Sequence, residues 1–292
     1  MSVVTVGNFD GVHLGHKALL RRVVEKAHEL GTTSVVLTFD RNTKTVLNGN
    51  DVFCLTAREE RDALLREEGI DHIHVIPFDA SFSAMTVSVF LDYLRTTYGC
   101  TDLFGGTDFR FGHGGKGLLL DGGIHRGIRQ HTVDLKTDFV KISSSSIRCA
   151  LQDGLVERAN TWLGYPYSVS GIVEEGRHLG RTMGFPTINV TPEKFKILPK
   201  DGVYVTSTVI DGKVYSSMTN VGLRPTVGQD TVRNTETHLL SGGGYLYGSF
   251  VTVRFHSRLR DEKRFSDLGS LMQQLRNDRE EAFLRHRERS LL

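Results

Sequence analysis

The chain is poor in cysteine, in net charge and in long apolar runs, and each shortage excludes a class of protein. Three cysteines in 292 residues, Cys54, Cys100 and Cys149, are odd in number and show no CxxC spacing. They make neither a disulfide frame nor a thiolate zinc site, and read as free thiols of a reducing cytoplasm. The formal net charge is only +2, too small to draw the chain to nucleic acid or an anionic membrane by bulk attraction. No run approaches the ~18 apolar residues of a membrane span. The start, "MSVVTVGNFDG", lacks the basic region and apolar stretch of a secretory signal. Low-complexity linkers and internal repeats are also missing.

What is present is an ordinary globular composition, 39% hydrophobic and 24% charged, with a length that suggests about two domains. "VVTV" at 3–6 reads as a short buried strand. A helix follows over 14–30, with Leu19, Leu20, Val23, Val24 and Ala27 at helical spacing and Gly31 to end it. "SVVLTF" at 34–39 completes a βαβ unit, the building block of parallel sheets. Helices over 56–69 and 86–99 alternate with strands over 72–78 and 101–106, so an α/β domain extends over 1–163. Beyond it the pattern alternates in twos, with Asp211-Gly212 as a two-residue hairpin signal. Residues 164–292 therefore read as an antiparallel barrel or sandwich that ends in a helix from about Ser266. Leu268, Leu271, Met272 and Leu275 are expected to pack that helix on the barrel.

The densest chemistry lies in "GNFDGVHLGHKALL", 7–20. A strand, a glycine turn and a helix N-terminus make a ready anion site, because free backbone N–H groups and the helix dipole face the ligand. Gly7, Gly11 and Gly15 let backbone approach a phosphate closely. His13 and His16, three apart, share a helix face and can stabilise a charged phosphorus centre by hydrogen bonds. No acidic or cysteine partner has metal-ligand spacing nearby. The glycines stand four apart, so this is not a GxGxxG fingerprint. "GGTDFRFGHGGKG" at 105–117 reads as a phosphate loop or a plain surface loop, and it fails the Walker A pattern around Lys116. "KISSSSIRCAL" at 141–151 offers N-cap serines or a second phosphate cradle with Arg148. In the second half, Thr187 and Asn189 of "GFPTINV" would share one face of a strand and suit Mg²⁺ as neutral oxygen ligands. Glu236 of "NTETHLL" is a solvated glutamate or a general base.

Taken together, "GNFDGVHLGH" resembles the HxGH signature of nucleotidyltransferases. The whole chain resembles the bacterial bifunctional riboflavin kinase/FMN adenylyltransferase family, also called FAD synthetases. The resemblance implies a Rossmann-like nucleotidyltransferase domain followed by a riboflavin-kinase β-barrel. It implies ATP binding for adenylyl transfer at Gly7, Asn8, Phe9, Asp10, Gly11, Gly15, Gly106, Asp108, Phe109, Ser144, Ser145 and Arg148. His13 and His16 would stabilise the transition state there. For the kinase it implies Thr187 and Asn189 on Mg²⁺ and ATP phosphates, Gly180 and Arg181 over the nucleotide, Glu236 as base, and "NVGLRPT" at 220–226 as a barrel segment bordering the site. Riboflavin, FMN and ATP are the implied substrates, and neither nucleic acid nor membrane is a partner. One segment departs from the family pattern: "TFDRNTKTV" at 38–46 stands where the family carries a proline-rich TFxPHP, with Arg41 as an added charge. Two other readings follow, a riboflavin kinase whose first domain no longer makes FAD, and a non-catalytic flavin or nucleotide sensor. Residues 164–292 alone are expected to phosphorylate riboflavin.

Overall fold

The computed structural model describes residues 1–134, 136–137, 140–174, 184–225, 231–241 and 246–290. It divides into two units, Met1–Ser144 and Ser145–Leu292.

In the first unit the sheet is built from β1 (Ser2–Val6), β2 (Thr33–Phe39), β3 (His72–Ile76), β4 (Cys100–Gly106), β7 (Ile124–His125) and β8 (Ile128–Val133). Between β4 and β7 lie the short strands β5 (Arg110–Phe111) and β6 (Gly117–Leu118), paired with each other. The sheet order is β3-β2-β1-β4-β8-β7, parallel except for β7. Its helices are α1 (Leu14–Glu29), α2 (Thr43–Asn48), α3 (Arg58–Glu67), α4 (Ala80–Ser83) and α5 (Val87–Tyr98). Alternation along β1 sends Val3 to one face, with Leu19, Leu20, Val23 and Ala27 of α1, and Val4 to the other, with Phe90, Leu91 and Leu94 of α5. Helix α1 stops where expected, with Gly31 in the left-handed region at φ 59°. A parallel sheet buried on both faces gathers its functional loops at the carboxyl ends of the strands, at the switch in strand order between β1 and β4.

The second unit carries α6 (Ser144–Gln152) and α7 (Val156–Leu163), then a closed antiparallel barrel, then α8 (Leu268–Ser290). Two short strands, β9 (Lys136–Thr137) and β10 (Val140–Lys141), precede it. The barrel strands are β11 (Ser168–Glu174), β12 (Thr187–Pro192), β13 (Gly202–Ile210), β14 (Lys213–Pro225), β15 (Thr231–Leu239) and β16 (Phe250–Arg260), in the order β11-β12-β15-β14-β13-β16. Closure removes the sheet edges. Asp211 and Gly212 both take positive φ, at 48° and 75°, and make the two-residue turn between β13 and β14. Alternate residues are fully buried inside: Val169, Val190, Val251, Val253 and Phe255, with a hydroxyl ladder of Thr206, Thr208, Ser217, Thr219 and Thr237 at 2.8 to 2.9 Å. Each hydroxyl has a partner, which is the condition for burying it.

Helices α6 and α7, read from the sequence as the end of the α/β domain, bond to residues of the barrel unit: Asn160 donates to the Phe255 carbonyl at 2.9 Å and Lys200 N–H to the Leu151 carbonyl at 2.8 Å. The apolar stripe of α8 is shifted from its expected place. Leu268 is 59% exposed, and the buried contacts come from Ala282, against Phe185, Val205 and Met218, with Leu275 at their margin. Asp278 is 4% exposed and forks onto Arg260 through three bonds of 2.6 to 3.1 Å. A buried carboxylate on a helix, paired with an arginine on a strand, is invisible to an apolar-period search.

Candidate active sites

In the first unit, Gly7–His13 links the end of β1 to α1. Phe9 and Val12 hold positive φ of 48° and 32°, a costly conformation, above all for a β-branched residue. The loop is held by its own polar groups. The Asp10 carboxylate, buried, accepts from Leu55 N–H at 2.8 Å and Thr56 N–H at 3.2 Å. Gly11 N–H donates to the Thr56 hydroxyl at 3.0 Å, and Ser144 Oγ to the Asp10 carbonyl at 2.9 Å. Asn8 accepts from Thr43 N–H at 3.1 Å and donates to the Thr43 hydroxyl at 2.9 Å. Asp10 and Asn8 thus shape the loop through bonds to neighbouring segments.

His13 is the N-cap of α1: its Nδ1 accepts from His16 N–H at 3.3 Å. That bond leaves the proton of the neutral ring on Nε2. The two imidazoles stack 3.7 Å apart, 15° from parallel, and Phe9 meets His16 edge-on at 5.2 Å. His13 is 3% exposed, and burial pulls its pKa down to about 4. His16 is also held well below the usual value, by burial and then by the neighbouring His13. Both rings are neutral at pH 7, and the His16 Nδ1 is buried with no partner among the described residues. A pair of neutral donors at a helix N-terminus can stabilise charge on a phosphate without being discharged by it.

The flanking residues divide in role. Gly15 and Gly106 are buried and Gly7 is half-buried. Phe109 donates its N–H to the Gly106 carbonyl at 2.9 Å and stacks on Phe111 at 5.7 Å, so its ring joins the core on the α5 side. A Cβ on Gly105 would stand 2.8 Å from that ring. Asp108 is exposed. Ser145 and Arg148 fall in the second unit, where Ser145, exposed, accepts from Arg148 at 3.3 Å on the first turns of α6.

In the second unit the site is set by register. Asn189 on β12 lies opposite Glu236 on β15, and Glu236 lies opposite Asn220 on β14. Directly opposed residues share a face, so the three stand in a row on the outside of the barrel. Thr187, two residues from Asn189 and opposite His238, shares that face. Asn189 is 5% exposed and its Oδ1 accepts from Asn234 at 3.3 Å. The Glu236 carboxylate is exposed and has no hydrogen-bond or ion-pair partner among the described residues. His238 bonds the Pro186 carbonyl at 2.9 Å through Nδ1, and burial lowers its pKa. Further along β15, a cavity of 480 Å³ is lined by Leu240, Arg279, Glu280, Phe283 and Leu284. That volume suits a drug-sized ligand. Gly180 and Arg181 lie outside the described residues.

The two halves match two family models in order. Residues 1–145 match the one described as FAD synthetase, and residues 163–284 the one described as riboflavin kinase. A bifunctional riboflavin kinase/FMN adenylyltransferase of Pseudomonas fluorescens is 35% identical, covering 92% of this chain and 88% of its own. Proteins of the same description from Bacillus subtilis and Escherichia coli are 33% and 35% identical, covering 96% and 94% of this chain and 91% and 90% of theirs. The chain belongs to the bifunctional riboflavin kinase/FMN adenylyltransferase family. A solved structure described as a macrolide-efflux protein from Streptococcus pneumoniae superposes with a TM-score of 0.85 at 28% identity, covering 96% of this chain and 93% of that one. Efflux is named by neither matching family model, and among the described residues no helix is long and apolar enough to cross a membrane.

In this member of the bifunctional riboflavin kinase/FMN adenylyltransferase family, the departing segment 38–46 is built into the fold. Thr38 Oγ donates to the Asn8 carbonyl at 3.3 Å, and Asp40 accepts from Phe78 N–H at 3.0 Å. Asn42 caps α2 by accepting from Lys44 N–H at 3.0 Å. A capped helix tied to Asn8 stands where proline would have stiffened the chain. Sequence reasoning missed Asn234 and the lining of the cavity, and reached Asn220 only within the segment "NVGLRPT". Positions 234, 236 and 238 share one parity, a signal that was readable. The partner strand carrying Asn220 was not, because register is a long-range property.

Proposed function

We propose that the second unit phosphorylates riboflavin to FMN and that the first adenylylates FMN to FAD, each from ATP. The observation that carries this reading is that each matched family region coincides with one unit holding one candidate site. On the barrel, Glu236 takes the proton of the terminal ribityl hydroxyl, whose oxygen attacks the γ-phosphorus of ATP and releases ADP. An exposed, unengaged carboxylate is free to meet that proton, and positioning and charge neutralisation supply most of the rate. The apolar cavity by Leu240, Phe283 and Leu284 suits the flavin ring system. Thr187 and Asn189 fit Mg²⁺: they are neutral oxygen donors on one face, the Asn189 Oδ1 keeps a lone pair beyond its bond from Asn234, and Mg²⁺ takes waters and phosphate oxygens as its other ligands. When bound there it neutralises phosphate charge. Gly180 and Arg181 are assigned to the nucleotide beside it.

In the first unit an FMN phosphate oxygen attacks the α-phosphorus of a second ATP, and pyrophosphate leaves. His13, through Nε2–H, and His16 donate to the phosphate oxygens, and the backbone of Gly7–His13 cradles the nucleotide. Asn8 and Asp10 act by holding that loop. Gly15, Gly106, Asp108, Phe109, Ser144, Ser145 and Arg148 are assigned to the same nucleotide. We assign both reactions to the cytoplasm and the functional domains to residues 1–163 and 164–292. The experiment is a time course with riboflavin, ATP and Mg²⁺, separating flavins by chromatography. FMN followed by FAD is expected. FMN without FAD, even when FMN is supplied, would restrict the chain to the kinase reaction. Neither flavin would support the sensor reading instead.

A further inference from the structure

Glu236 has two direct cross-strand neighbours, and they differ. Asn189 is buried and its Oδ1 accepts from Asn234, with its remaining lone pair assigned above to Mg²⁺. Asn220 is half-buried, and its amide has no hydrogen-bond partner among the described residues. The residue two along on the same face of β14 is Gly222, where a Cβ would stand 2.4 Å from the Glu262 carboxylate and 3.3 Å from the Asn220 amide nitrogen. The other flanking position on that face is Met218. Neither glycine nor methionine offers a strong side-chain hydrogen bond. Asn220 is therefore the polar side chain of β14 that stands beside the base.

Phosphoryl transfer sets the direction. Attacking and leaving oxygens lie on opposite sides of phosphorus. With the phosphates over Thr187 and Asn189 on β12, and the attacking oxygen at Glu236 on β15, the carbon chain of the acceptor must lead away over β14. A carboxamide both donates and accepts, which suits a neutral hydroxyl rather than a phosphate. We propose that Asn220 binds the hydroxyl next to the reacting one on the polyol chain of the acceptor, so that the row Asn189–Glu236–Asn220 orders phosphate, base and acceptor across three strands. The proposal rests on the kinase reading above.

The test is steady-state kinetics of the full chain with riboflavin and with its 4′-deoxy analogue, which lacks that hydroxyl. Losing one neutral hydrogen bond raises KM by about tenfold. Asn220→Ala should raise KM for riboflavin by that factor and leave KM for ATP unchanged. The analogue should suffer the same penalty on the unmodified chain and no further one on Asn220→Ala. An unchanged riboflavin KM, a raised ATP KM, or penalties that multiply would overturn the proposal. Should Asn220→Ala fail to fold, Asn220→Ser and the analogue on the unmodified chain still decide it: equal KM for riboflavin and analogue refutes the contact. Failure of the kinase reading looks different, since the unmodified chain would then make no FMN at all, and the Asn220 proposal would fall with it.

Discussion

The two units build their sites in opposite ways. In the α/β unit the proposed chemistry is local: Gly7 to His16 are contiguous, and one strand-to-helix turn delivers both imidazoles and the backbone assigned to the nucleotide. The strain at Phe9 and Val12 is held by bonds from Asp10 and Asn8 to residues 43, 55 and 56. In the barrel unit no two adjacent residues make the site. Asn189, Glu236 and Asn220 meet because three strands pair in one register, and a slip of one residue would turn Glu236 into the hydroxyl-lined interior. A local site is protected by its loop and a distributed one by the whole barrel, so the two should respond differently to the same kinds of perturbation.

The largest effects should be chemical and confined to one unit. Glu236→Gln removes the proposed base and should lower kcat for riboflavin phosphorylation by ~10²–10⁴, measured as FMN release. His16→Ala should lower adenylyl transfer from supplied FMN by ~10²–10³ and leave FMN formation unchanged. Next is stability. Asp278→Ala leaves Arg260 without its bidentate partner under α8 and should cost the barrel unit ~3–5 kcal/mol in urea unfolding, with the α/β transition unmoved.

Acidification should bear on both units. His13 and His256 are held at about 4 and about 3, chiefly by burial. Their folded pKa values lie below the unfolded value, so the unfolded chain binds protons that the folded chain refuses. Stability is then full above about pH 6.5 and falls as pH drops toward 4. His13 alone accounts for roughly 3 kcal/mol of that loss. The melting temperature should decline over that window, and His13→Asn, which does not titrate, should flatten the decline of the α/β unit. A melting temperature indifferent to pH between 7 and 4.5 would contradict the buried neutral imidazoles.

The contrast also explains what could be read from the sequence. The βαβ order, Gly31 as a helix stop, the Asp211-Gly212 turn and the histidine pair follow from local spacing, and all stand in the structure. The row around Glu236 could be read in part: Thr187 and Asn189 were legible as a same-face pair, and Glu236 through a family resemblance. Asn220 was legible only as part of "NVGLRPT", a segment that the family resemblance puts at the border of the site, because nothing in those residues announces which strand lies beside them. The docking of α6 and α7 on the barrel escaped for a similar reason. It depends on Asn160 and Glu157 reaching residues 255–258, about a hundred positions away, where Glu157 accepts from Arg258 N–H at 3.1 Å. A fragment of 145–292 should therefore phosphorylate riboflavin and outlast 164–292, which lacks those helices, in thermal melts.

The most direct test of two separable chemistries on two units is a mixing experiment. Glu236→Gln and His16→Ala are each given riboflavin, ATP and Mg²⁺, first alone and then together, and FAD is followed by chromatography. Glu236→Gln alone should make neither product, His16→Ala alone should stop at FMN, and the mixture should make FAD, because FMN released by one variant is adenylylated by the other. A mixture that still stops at FMN, although Glu236→Gln is folded and supplied with that FMN, would show that the base on the barrel is needed for both reactions and that the division drawn here is wrong.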